Sequence, residues 1–319
     1  MKILANDGIS KAGEKALLDA GMTLVEHKVS QEQLINFINE NQIEVLLVRS
    51  ATQARKELID SCPSLKIIGR GGVGMDNIDV DYAKSKGIIV INTPSASSRS
   101  VAEMVFAHFF SLARYLHDSN RMMPLEGETQ FNTLKKSYNN AIELQSKTLG
   151  IIGFGGIGKE VAKIGISLGM KIKVLTRNPK SELIELDFFD GQRIKFKIDS
   201  IQDWNIFLKD TDFISINTPK TDGYLIDHNE FEKMKDGVYI VNTARGGTIN
   251  ENTLLEYLDN GKVAGAALDV FENEPQPKIS VLMNPQISLS PHLGGNTKDA
   301  QEKIGTELAE QIIEIQKSL

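Results

Sequence analysis

The stretch LGIIGFGGIGKEVAKIGISLGMKIKVLTRNPK, residues 149–180, decides the fold of the second half of the chain. An apolar run leads into Gly153, Gly155 and Gly158, spaced as G-x-G-x-x-G, and apolar residues at helical spacing follow. A strand, a glycine turn and a helix in this order form a unit that binds a dinucleotide, with the pyrophosphate at the positive end of the helix. The stretch therefore predicts a Rossmann-like domain for a nicotinamide dinucleotide.

The residues after the second strand of this unit leave the form of the cofactor open. An acidic residue normally accepts hydrogen bonds from the adenosine ribose here, but this chain has Arg177 and Asn178. A guanidinium pairs well with a phosphate, so Arg177 permits NADP. The alternative is that Arg177 only points into solvent. The amide oxygen of Asn178 can still bond a ribose hydroxyl, which permits NAD. We expect NAD, with NADP as a real alternative.

The composition is that of a globular protein. The chain has 319 residues, of which 41% are hydrophobic, and this size favours two domains. Its net charge of −6 gives no footprint for nucleic acid, although a locally basic pocket could bind a small anion. Cys62 is the single cysteine, and the N-terminus MKILANDGIS lacks an apolar signal core. We expect a cytoplasmic protein with no membrane span and no metal site.

Strand and helix patterns alternate along the chain, which predicts an α/β fold with parallel sheets covered on both faces. In the second half, buried apolar runs predict strands at 149–152, 172–176, 213–216, 238–241, 263–267 and 287–289. Residues 296–319 read as one amphipathic helix. Residues 187–206 are apolar and aromatic, and their pattern assigns them to no element.

Three segments that follow predicted strands carry side chains suited to hydride transfer. Arg245 in NTARGG could grip a carboxylate, and Asp269 and Glu274 lie in ALDVFENEP. His292 in SPHLGGNT follows a proline and precedes two glycines, so a rigid turn could aim its ring. A carboxylate beside the imidazole would raise its pKa and fix its tautomer. Taken singly, each residue could be structural, but their common position after strands favours a catalytic site.

Seven motifs occur in an order that resembles the D-isomer-specific 2-hydroxyacid dehydrogenases. The motifs are LLVRSAT, IIGRGGVGMDNIDV, INTPSASSRSVAE, LGIIGFGGIG, VNTARGG, GAALDVFENEP and SPHLGGNT. The resemblance implies that His292 exchanges a proton with the C2 hydroxyl while hydride moves between C2 and the nicotinamide. It also implies that Glu274 supports this histidine and that Arg245 holds the substrate carboxylate.

The resemblance further implies two sets of binding residues. The cofactor contacts would be Gly153, Gly155, Gly156, Ile157, Gly158, Arg177, Asn178, Thr218, Ala244, Asp269, Gly294 and Gly295. The substrate contacts would be Arg49, Arg70 and the backbone N–H groups of Val73 and Gly74.

Within the family, the chain most resembles the phosphoglycerate dehydrogenases, in which arginines at the positions of Arg49 and Arg70 face the substrate phosphate. This implies oxidation of D-3-phosphoglycerate in serine biosynthesis. Arg177 favours an NAD(P)H-dependent reductase of glyoxylate or hydroxypyruvate instead. A dinucleotide-sensing binding protein is a third hypothesis. The chain ends soon after its last helix, so we expect no serine-sensing regulatory domain.

The family architecture implies a discontinuous flavodoxin-like substrate domain, about 1–96 and 290–319, with the dinucleotide-binding domain, about 97–289, inserted into it. The active site would lie between the domains, with hinges near residues 96 and 290. Relatives dimerise through a helix that corresponds to about 100–119. The apolar series Val105, Phe106, Phe109, Phe110 and Leu112 suits a homodimer, although the face of a core helix explains it equally well.

Overall fold

The computed structural model describes residues 1–318 and divides the chain into two compact units. The first unit comprises Met1–Ser98 and Gly295–Leu319, and the second comprises Arg99–Gly294. The sequence predicts domain borders near residues 96 and 290. In the structure, the chain passes from one unit to the other after residues 98 and 294. Among the described residues, no helix is both long enough and apolar enough to cross a membrane.

The first unit is a five-stranded parallel sheet with helices between its strands. Its elements are β1 (Lys2–Ala5), α1 (Lys11–Asp19), β2 (Thr23–Val25), α2 (Leu34–Asn41), β3 (Val45–Val48), α3 (Lys56–Ser61), β4 (Ile67–Arg70), α4 (Val80–Ser85) and β5 (Ile89–Asn92). The strand order is β2-β1-β3-β4-β5. Strand β3 is buried along its whole length because helices cover both faces of a parallel sheet.

The second unit begins with two helices and continues with an eight-stranded sheet. Its elements are α5 (Ser98–Ala113), α6 (Leu116–Ser137), β6 (Thr148–Ile152), α7 (Gly156–Ser167), β7 (Lys171–Leu175), β8 (Ser181–Asp187), β9 (Arg193–Ile201), α8 (Trp204–Lys209), β10 (Phe213–Ile216), α9 (His228–Lys233), β11 (Val238–Asn242), α10 (Glu251–Asp259), β12 (Val263–Leu268), α11 (Ile279–Leu282) and β13 (Ile287–Leu289). The strand order is β13-β12-β11-β10-β6-β7-β9-β8. Alternate residues of each strand enter cores on opposite faces of the sheet, as Phe213 and Ile214 do.

The last helix, α12 (Lys298–Ser318), returns to the first unit and packs on α1. The two helices meet at Gly13 and Gly305: a Cβ atom on Gly13 would overlap the backbone of Gly305, and a Cβ atom on Gly305 would overlap Ser10, the N-cap residue of α1. The predicted α/β class with parallel sheets is confirmed for both units.

Residues 187–206, which sequence patterns assigned to no element, form the turn and the second strand of a β-hairpin and the start of α8. Strand β8 pairs antiparallel with β9, and β9 pairs parallel with β7, so the hairpin widens the sheet at one end. Ile184 and Leu186 are buried on one side, whereas ion pairs such as Arg193–Glu185 cover the other. The turn at Gly191 leaves Phe189 fully exposed.

The helix predicted at about 100–119 is not continuous. Helix α5 ends at Ala113, and Tyr115 adopts a left-handed conformation, with φ of 55°, before α6 begins. Four residues of the predicted apolar series lie in the core of the second unit, namely Val105, Phe106, Phe109 and Leu112. Phe110 is the member of the series whose side chain is exposed.

Candidate active site

The three predicted catalytic segments follow neighbouring strands of the second unit. In the parallel register, Asn242 of β11 pairs with Leu268 of β12, and Leu268 pairs with Leu289 of β13. The segments that begin at residues 243, 269 and 290 therefore leave one edge of the sheet side by side. The carboxyl ends of parallel strands are where α/β proteins build their ligand sites.

His292 and Glu274 form a hydrogen-bonded pair, with 2.9 Å between Nδ1 and Oε2. The other carboxylate oxygen of Glu274 accepts the backbone N–H of Phe271 at 2.9 Å. The bond from Glu274 raises the pKa of His292 above its ordinary value, and this outweighs the opposite effects of burial and of Arg245. Burial raises the pKa of Glu274, but the bonds from His292 and Phe271 hold it below its ordinary value. The pair therefore favours an imidazolium beside a carboxylate.

Asp269 organises the turn that carries His292. Its fully buried carboxylate accepts the N–H of Leu293 at 2.7 Å, the N–H of Gly294 at 2.8 Å and the hydroxyl of Ser290 at 2.6 Å. Its backbone carbonyl accepts the N–H of His292 at 2.8 Å. These bonds hold His292 in the left-handed region, with φ of 55°, where few non-glycine residues are found.

Buried polar neighbours shape the backbone around Arg245. The side chain of Asn242 bonds both the carbonyl of Arg245, at 3.0 Å, and the N–H of Ala244, at 3.1 Å. The guanidinium donates to the carbonyl of Ala244 at 2.7 Å, and its charge lowers the pKa values of both His292 and Glu274. Arg245 therefore lies in the same electrostatic field as the His292–Glu274 pair.

Two glutamates join the loops of Arg245 and Glu274. Glu251, at the start of α10, accepts the N–H of Glu272 at 2.7 Å, and Glu272 accepts the N–H of Glu251 at 3.0 Å. Glu251 is buried, which raises its pKa, and its Oε2 has no hydrogen-bond partner among residues 1–318. The two loops also touch at Gly246, where a Cβ atom would overlap the carbonyl of Phe271. We call this reciprocal pair of bonds the glutamate clasp.

The glycine turn lies on the same sheet edge, two strands from Arg245. Ile152 of β6 pairs with Ile216 of β10, which in turn pairs with Asn242 of β11. Helix α7 begins at Gly156, and a Cβ atom on Gly158 would overlap the carbonyl of Gly153. The turn and helix can therefore pack closely only because these residues lack side chains.

The residues at this turn fit a dinucleotide. A Cβ atom on Gly155 would meet nothing within 4 Å, so the backbone is open to a ligand on that side. The first N–H groups of α7, at Gly156 and Ile157, belong to a helix end with no side-chain cap. The hydroxyls of Thr218 and Thr243 are buried without a hydrogen-bond partner within residues 1–318, and Thr218 is a predicted contact. These features suit a phosphate at the helix terminus and polar ligand atoms beside β10 and β11.

Arg177 and Asn178 follow the end of β7, and both side chains are exposed. The hydroxyl of Thr176 donates to Ser200 Oγ at 2.9 Å and also lies 3.2 Å from the carbonyl oxygen of Asn178, which holds the backbone of this loop to β9. The geometry leaves both side chains accessible to a ribose or its phosphate.

The predicted substrate residues cluster at one edge of the first unit. Val48 of β3 pairs with Arg70 of β4, so Arg49 and Arg70 emerge next to each other. Asp7 accepts the N–H of Arg49 at 2.7 Å, and Asn77 donates to its carbonyl at 2.7 Å, which fixes the start of this loop. Val73 and Gly74 lie in the loop after β4, and Gly295 begins the second segment of this unit.

The second unit thus brings together Arg245, Glu274, His292, Asp269, Ala244 and Gly294, while the first unit groups the arginines with Val73 and Gly74. Asn242, Ser290 and Glu251 also build the site, although sequence patterns assigned no role to these three residues. Asn242 and Ser290 each lie at a strand end beside a predicted catalytic segment. This position is the feature of the sequence that could have marked them as part of the site. Nothing in the sequence marks Glu251 or Glu272, because exposed acidic residues are common in such loops.

Comparisons with known proteins identify the family to which the chain is similar. Residues 106–294 match the family model for the D-isomer specific 2-hydroxyacid dehydrogenase, NAD binding domain. A hydroxypyruvate reductase of Thermotoga maritima is 38% identical over 317 residues, which are 98% of this chain and 97% of that protein. A D-3-phosphoglycerate dehydrogenase of Bacillus subtilis is 36% identical over 324 residues, which are 100% of this chain but 57% of that longer protein. The crystal structure of a glyoxylate reductase from Paecilomyes thermophila, at 30% identity, superposes with a TM-score of 0.81 over 98% of this chain and 93% of its own.

Proposed function

Because the chain belongs to the D-isomer specific 2-hydroxyacid dehydrogenase family, we propose that it is an NAD(P)-dependent dehydrogenase that oxidises D-3-phosphoglycerate to 3-phosphohydroxypyruvate. The observation that carries the chemistry is the pair of His292 Nδ1 and Glu274 Oε2 at 2.9 Å, next to the strand end that bears Arg245. An acid/base, a carboxylate grip and a dinucleotide turn on one sheet edge are what this reaction requires.

In the proposed mechanism, Glu274 binds Nδ1 of His292, so Nε2 is the nitrogen that takes the proton of the C2 hydroxyl. Glu274 stabilises the imidazolium that forms, and the same proton returns to oxygen in the reverse reaction. Arg245 holds the substrate carboxylate with two parallel hydrogen bonds and fixes the orientation of C2. The bound nicotinamide would supply the hydride acceptor, and Thr218, Ala244, Asp269 and Gly294 are proposed to surround it.

The phosphate assignment depends on Arg49 and Arg70. Arg49 directly follows β3, Arg70 is the last residue of the neighbouring β4, and a pair of guanidiniums is a strong ligand for a dianionic phosphate. An unphosphorylated substrate such as glyoxylate would give these arginines little to bind. This reasoning favours a phosphorylated hydroxy acid and, through it, a role in serine biosynthesis.

A second candidate is an NAD(P)H-dependent reductase of hydroxypyruvate or glyoxylate. It is supported by the relative from Thermotoga maritima, which matches this chain over nearly the full length of both proteins. The exposed Arg177 is suited to the 2′-phosphate of NADP, and Asn178 to the free ribose of NAD. A dinucleotide-sensing binding protein is a weaker third candidate, because Arg245, Glu274 and His292 are all present.

The three candidates are separated by steady-state rates measured with four substrates and both cofactors. The substrates are 3-phosphoglycerate, 3-phosphohydroxypyruvate, hydroxypyruvate and glyoxylate. We expect the highest kcat/KM for the phosphorylated pair. A higher kcat/KM for hydroxypyruvate or glyoxylate would establish the reductase instead, and binding of cofactor without any turnover would support the sensor.

The variant Arg49→Ala tests the phosphate contact. Loss of a charged hydrogen-bond partner should raise KM for 3-phosphohydroxypyruvate by about tenfold or more, while KM for hydroxypyruvate changes little. Arg55→Ala is the matched control, because Arg55 lies in the same unit but pairs with Asp79 on the surface. Equal effects of Arg49→Ala on the two substrates would remove the phosphate assignment.

We also propose that the protein is a homodimer that uses the region of α5 and α6. Phe110 and Leu116 are exposed there, and covering them in a partner would remove apolar surface from water. Light scattering of the purified protein measures the mass directly, and a monomer at micromolar concentration would contradict the proposal.

A further inference from the structure

A chain of hydrogen bonds runs from the buried His108 on α5 to the carboxylate of Asp269. Nε2 of His108 lies 2.9 Å from the hydroxyl of Ser290, and that hydroxyl lies 2.6 Å from Oδ1 of Asp269. On the other side of the ring, Nδ1 lies 3.0 Å from the hydroxyl of Ser288. His108 and Ser288 are both 5% exposed, and all four residues belong to the second unit.

The direction of these bonds follows from the chemistry of the groups. A carboxylate only accepts, so the hydroxyl of Ser290 donates its proton to Asp269. The oxygen of Ser290 is then the acceptor for an N–H on Nε2 of His108. In a neutral ring Nδ1 is consequently the acceptor, and Ser288 donates to it. The network thus defines one tautomer of His108, with its proton on Nε2.

The surroundings of His108 keep the ring neutral. Burial lowers the pKa of His108 below its ordinary value, and it outweighs the opposing charge of Asp269; His117 adds a further lowering. A neutral ring with one donor and one acceptor satisfies both serines at once. An imidazolium would have two donors, and Ser288 would then have to reverse its bond.

Asp269 is the point at which this chain meets the active site. The same carboxylate oxygen that binds Ser290 also accepts the N–H of Leu293 at 2.7 Å, and the Asp269 carbonyl accepts the N–H of His292. The charge of Asp269 is also one of the causes that raise the pKa of His292. A rotation of this carboxylate would change both the backbone that carries His292 and the field at its ring.

We propose that His108 is a positioning residue, which acts through Ser290 to hold the Asp269 carboxylate and thereby sets the orientation and proton affinity of His292. The link of this inference to catalysis rests on the proposed function. The hydrogen-bond network from His108 to Asp269 does not depend on that function. Helix α5 thus supplies the anchor for a turn that lies about 180 residues later in the chain.

The tautomer is tested by NMR of protein with ¹⁵N-labelled histidine, which is practical with 5 histidines. We expect His108 to remain neutral, with its proton on Nε2, at and above the ordinary pKa of 6.5. The pKa of His292, measured in the same titration, should fall in both His108→Phe and Ser290→Ala. A proton on Nδ1 of His108, or an unchanged pKa of His292 in both variants, would overturn the proposal.

A double-mutant cycle then separates positioning from a merely structural role. Each of His108→Phe and Ser290→Ala should lower kcat by about three- to tenfold, and the double variant should lose no more than the worse single variant. Ser290→Thr and His108→Gln retain hydrogen-bonding groups and should recover part of kcat. Ser288→Ala leaves the bond from Ser290 to Asp269 in place and serves as the matched control.

The outcomes of the two experiments distinguish the two proposals. Additive losses of kcat, or lower melting temperatures with unchanged kcat and an unchanged pKa of His292, would contradict the role of His108. If the wild-type protein turned over none of the four substrates, the proposed function would fail. The NMR titration would in that case still decide whether His108 controls His292.

Discussion

His292 combines an uncommon backbone conformation with an exposed, paired ring. Its φ of 55° is maintained by the N–H bond to Asp269, and its side chain is 52% exposed while it contacts Glu274. A replacement that strains this backbone would confuse loss of the imidazole with loss of the turn. Asparagine is the useful substitute, because it tolerates the left-handed region better than alanine does.

The variant His292→Asn should lower kcat by about a hundredfold or more, since the acid/base group is removed while the turn is retained. Steady-state rates with the best substrate measure the loss of the acid/base group, and a thermal melt measures whether the turn and the fold are retained. His228→Asn is the control, because His228 is an exposed histidine of the same unit. Activity near the wild-type value would show that His292 is not the acid/base.

Replacing Glu274 by glutamine should move the pH dependence of the reaction. The bond from Glu274 is the largest cause that raises the pKa of His292, so its loss should lower that pKa. Reduction needs the imidazolium, and its rate falls as pH rises through the pKa of His292. In the wild type this fall should come above pH 6.5, and in Glu274→Gln at a lower pH. Profiles of kcat/KM for both proteins with coincident midpoints would disprove the coupling.

The sequence predicts the candidate catalytic residues better than it predicts the residues that hold them in place. Arg245, Glu274 and His292 follow apolar runs and belong to recognisable motifs, so their shared sheet edge could be anticipated. His108 could not, because a histidine on an apolar helix face is consistent with ordinary burial. Its link to Asp269 depends on the contact with Ser290 across 182 positions of sequence, which no local pattern reports.

Among the elements, the strands with one continuous apolar run and the amphipathic α12 were predictable, whereas the β8–β9 hairpin and α6 were not. Strand β8 alternates buried and exposed residues, so it lacks the run that marks a central strand. The Asp-Gly pair at 190–191 was the available signal for the hairpin turn. Helix α6 buries Leu134 and is otherwise mostly exposed, and it includes Pro124, so its sequence is polar and only weakly patterned.

The glutamate clasp gives an element-scale prediction for the start of α10. The raised pKa of Glu251, caused by burial, means that its contribution to stability is present below pH 4.5 and is lost as pH rises through the folded-state pKa. Glu251→Gln avoids burying this charge and still offers an acceptor to Glu272. The free energy of unfolding of the Glu251→Gln variant minus that of the wild type should therefore increase from pH 4.5 to pH 7.

Urea unfolding at several pH values measures this difference. Glu251→Ala should be less stable than Glu251→Gln by about 1–3 kcal/mol, because the partly buried N–H of Glu272 loses its acceptor. Glu256→Gln, which removes an exposed carboxylate from the same helix, controls for the change of net charge. A relative stability of Glu251→Gln that declines toward pH 7 would refute the assignment.

At the scale of the whole molecule, each unit contains one natural probe. The single cysteine, Cys62, is buried in the first unit, and burial raises the pKa of its thiol to about 11. The single tryptophan, Trp204, packs on Phe207 in the second unit with ring centroids 6.3 Å apart. Thiol labelling therefore reports unfolding of the first unit, and tryptophan fluorescence reports unfolding of the second.

Cofactor should stabilise the second unit more than the first, because the glycine turn belongs to the second unit. With the cofactor at a hundred times its Kd, the expected gain is about 2.7 kcal/mol, seen as a higher urea midpoint for Trp204 fluorescence. The midpoint for Cys62 labelling should move less. Equal shifts of the two midpoints would mean that the units unfold as one cooperative structure.

The β8–β9 hairpin makes the protein convenient to modify. Strands β13 and β8 lie at opposite ends of the sheet, and seven strand spacings put roughly 30 Å between them. A Cβ atom at Gly191 in the hairpin turn would meet nothing within 4 Å, so this exposed turn is suited to the insertion of an epitope or a surface linker. Immobilised enzyme or single-molecule probes could thus be prepared at the end of the sheet far from His292, with the chemistry left untouched.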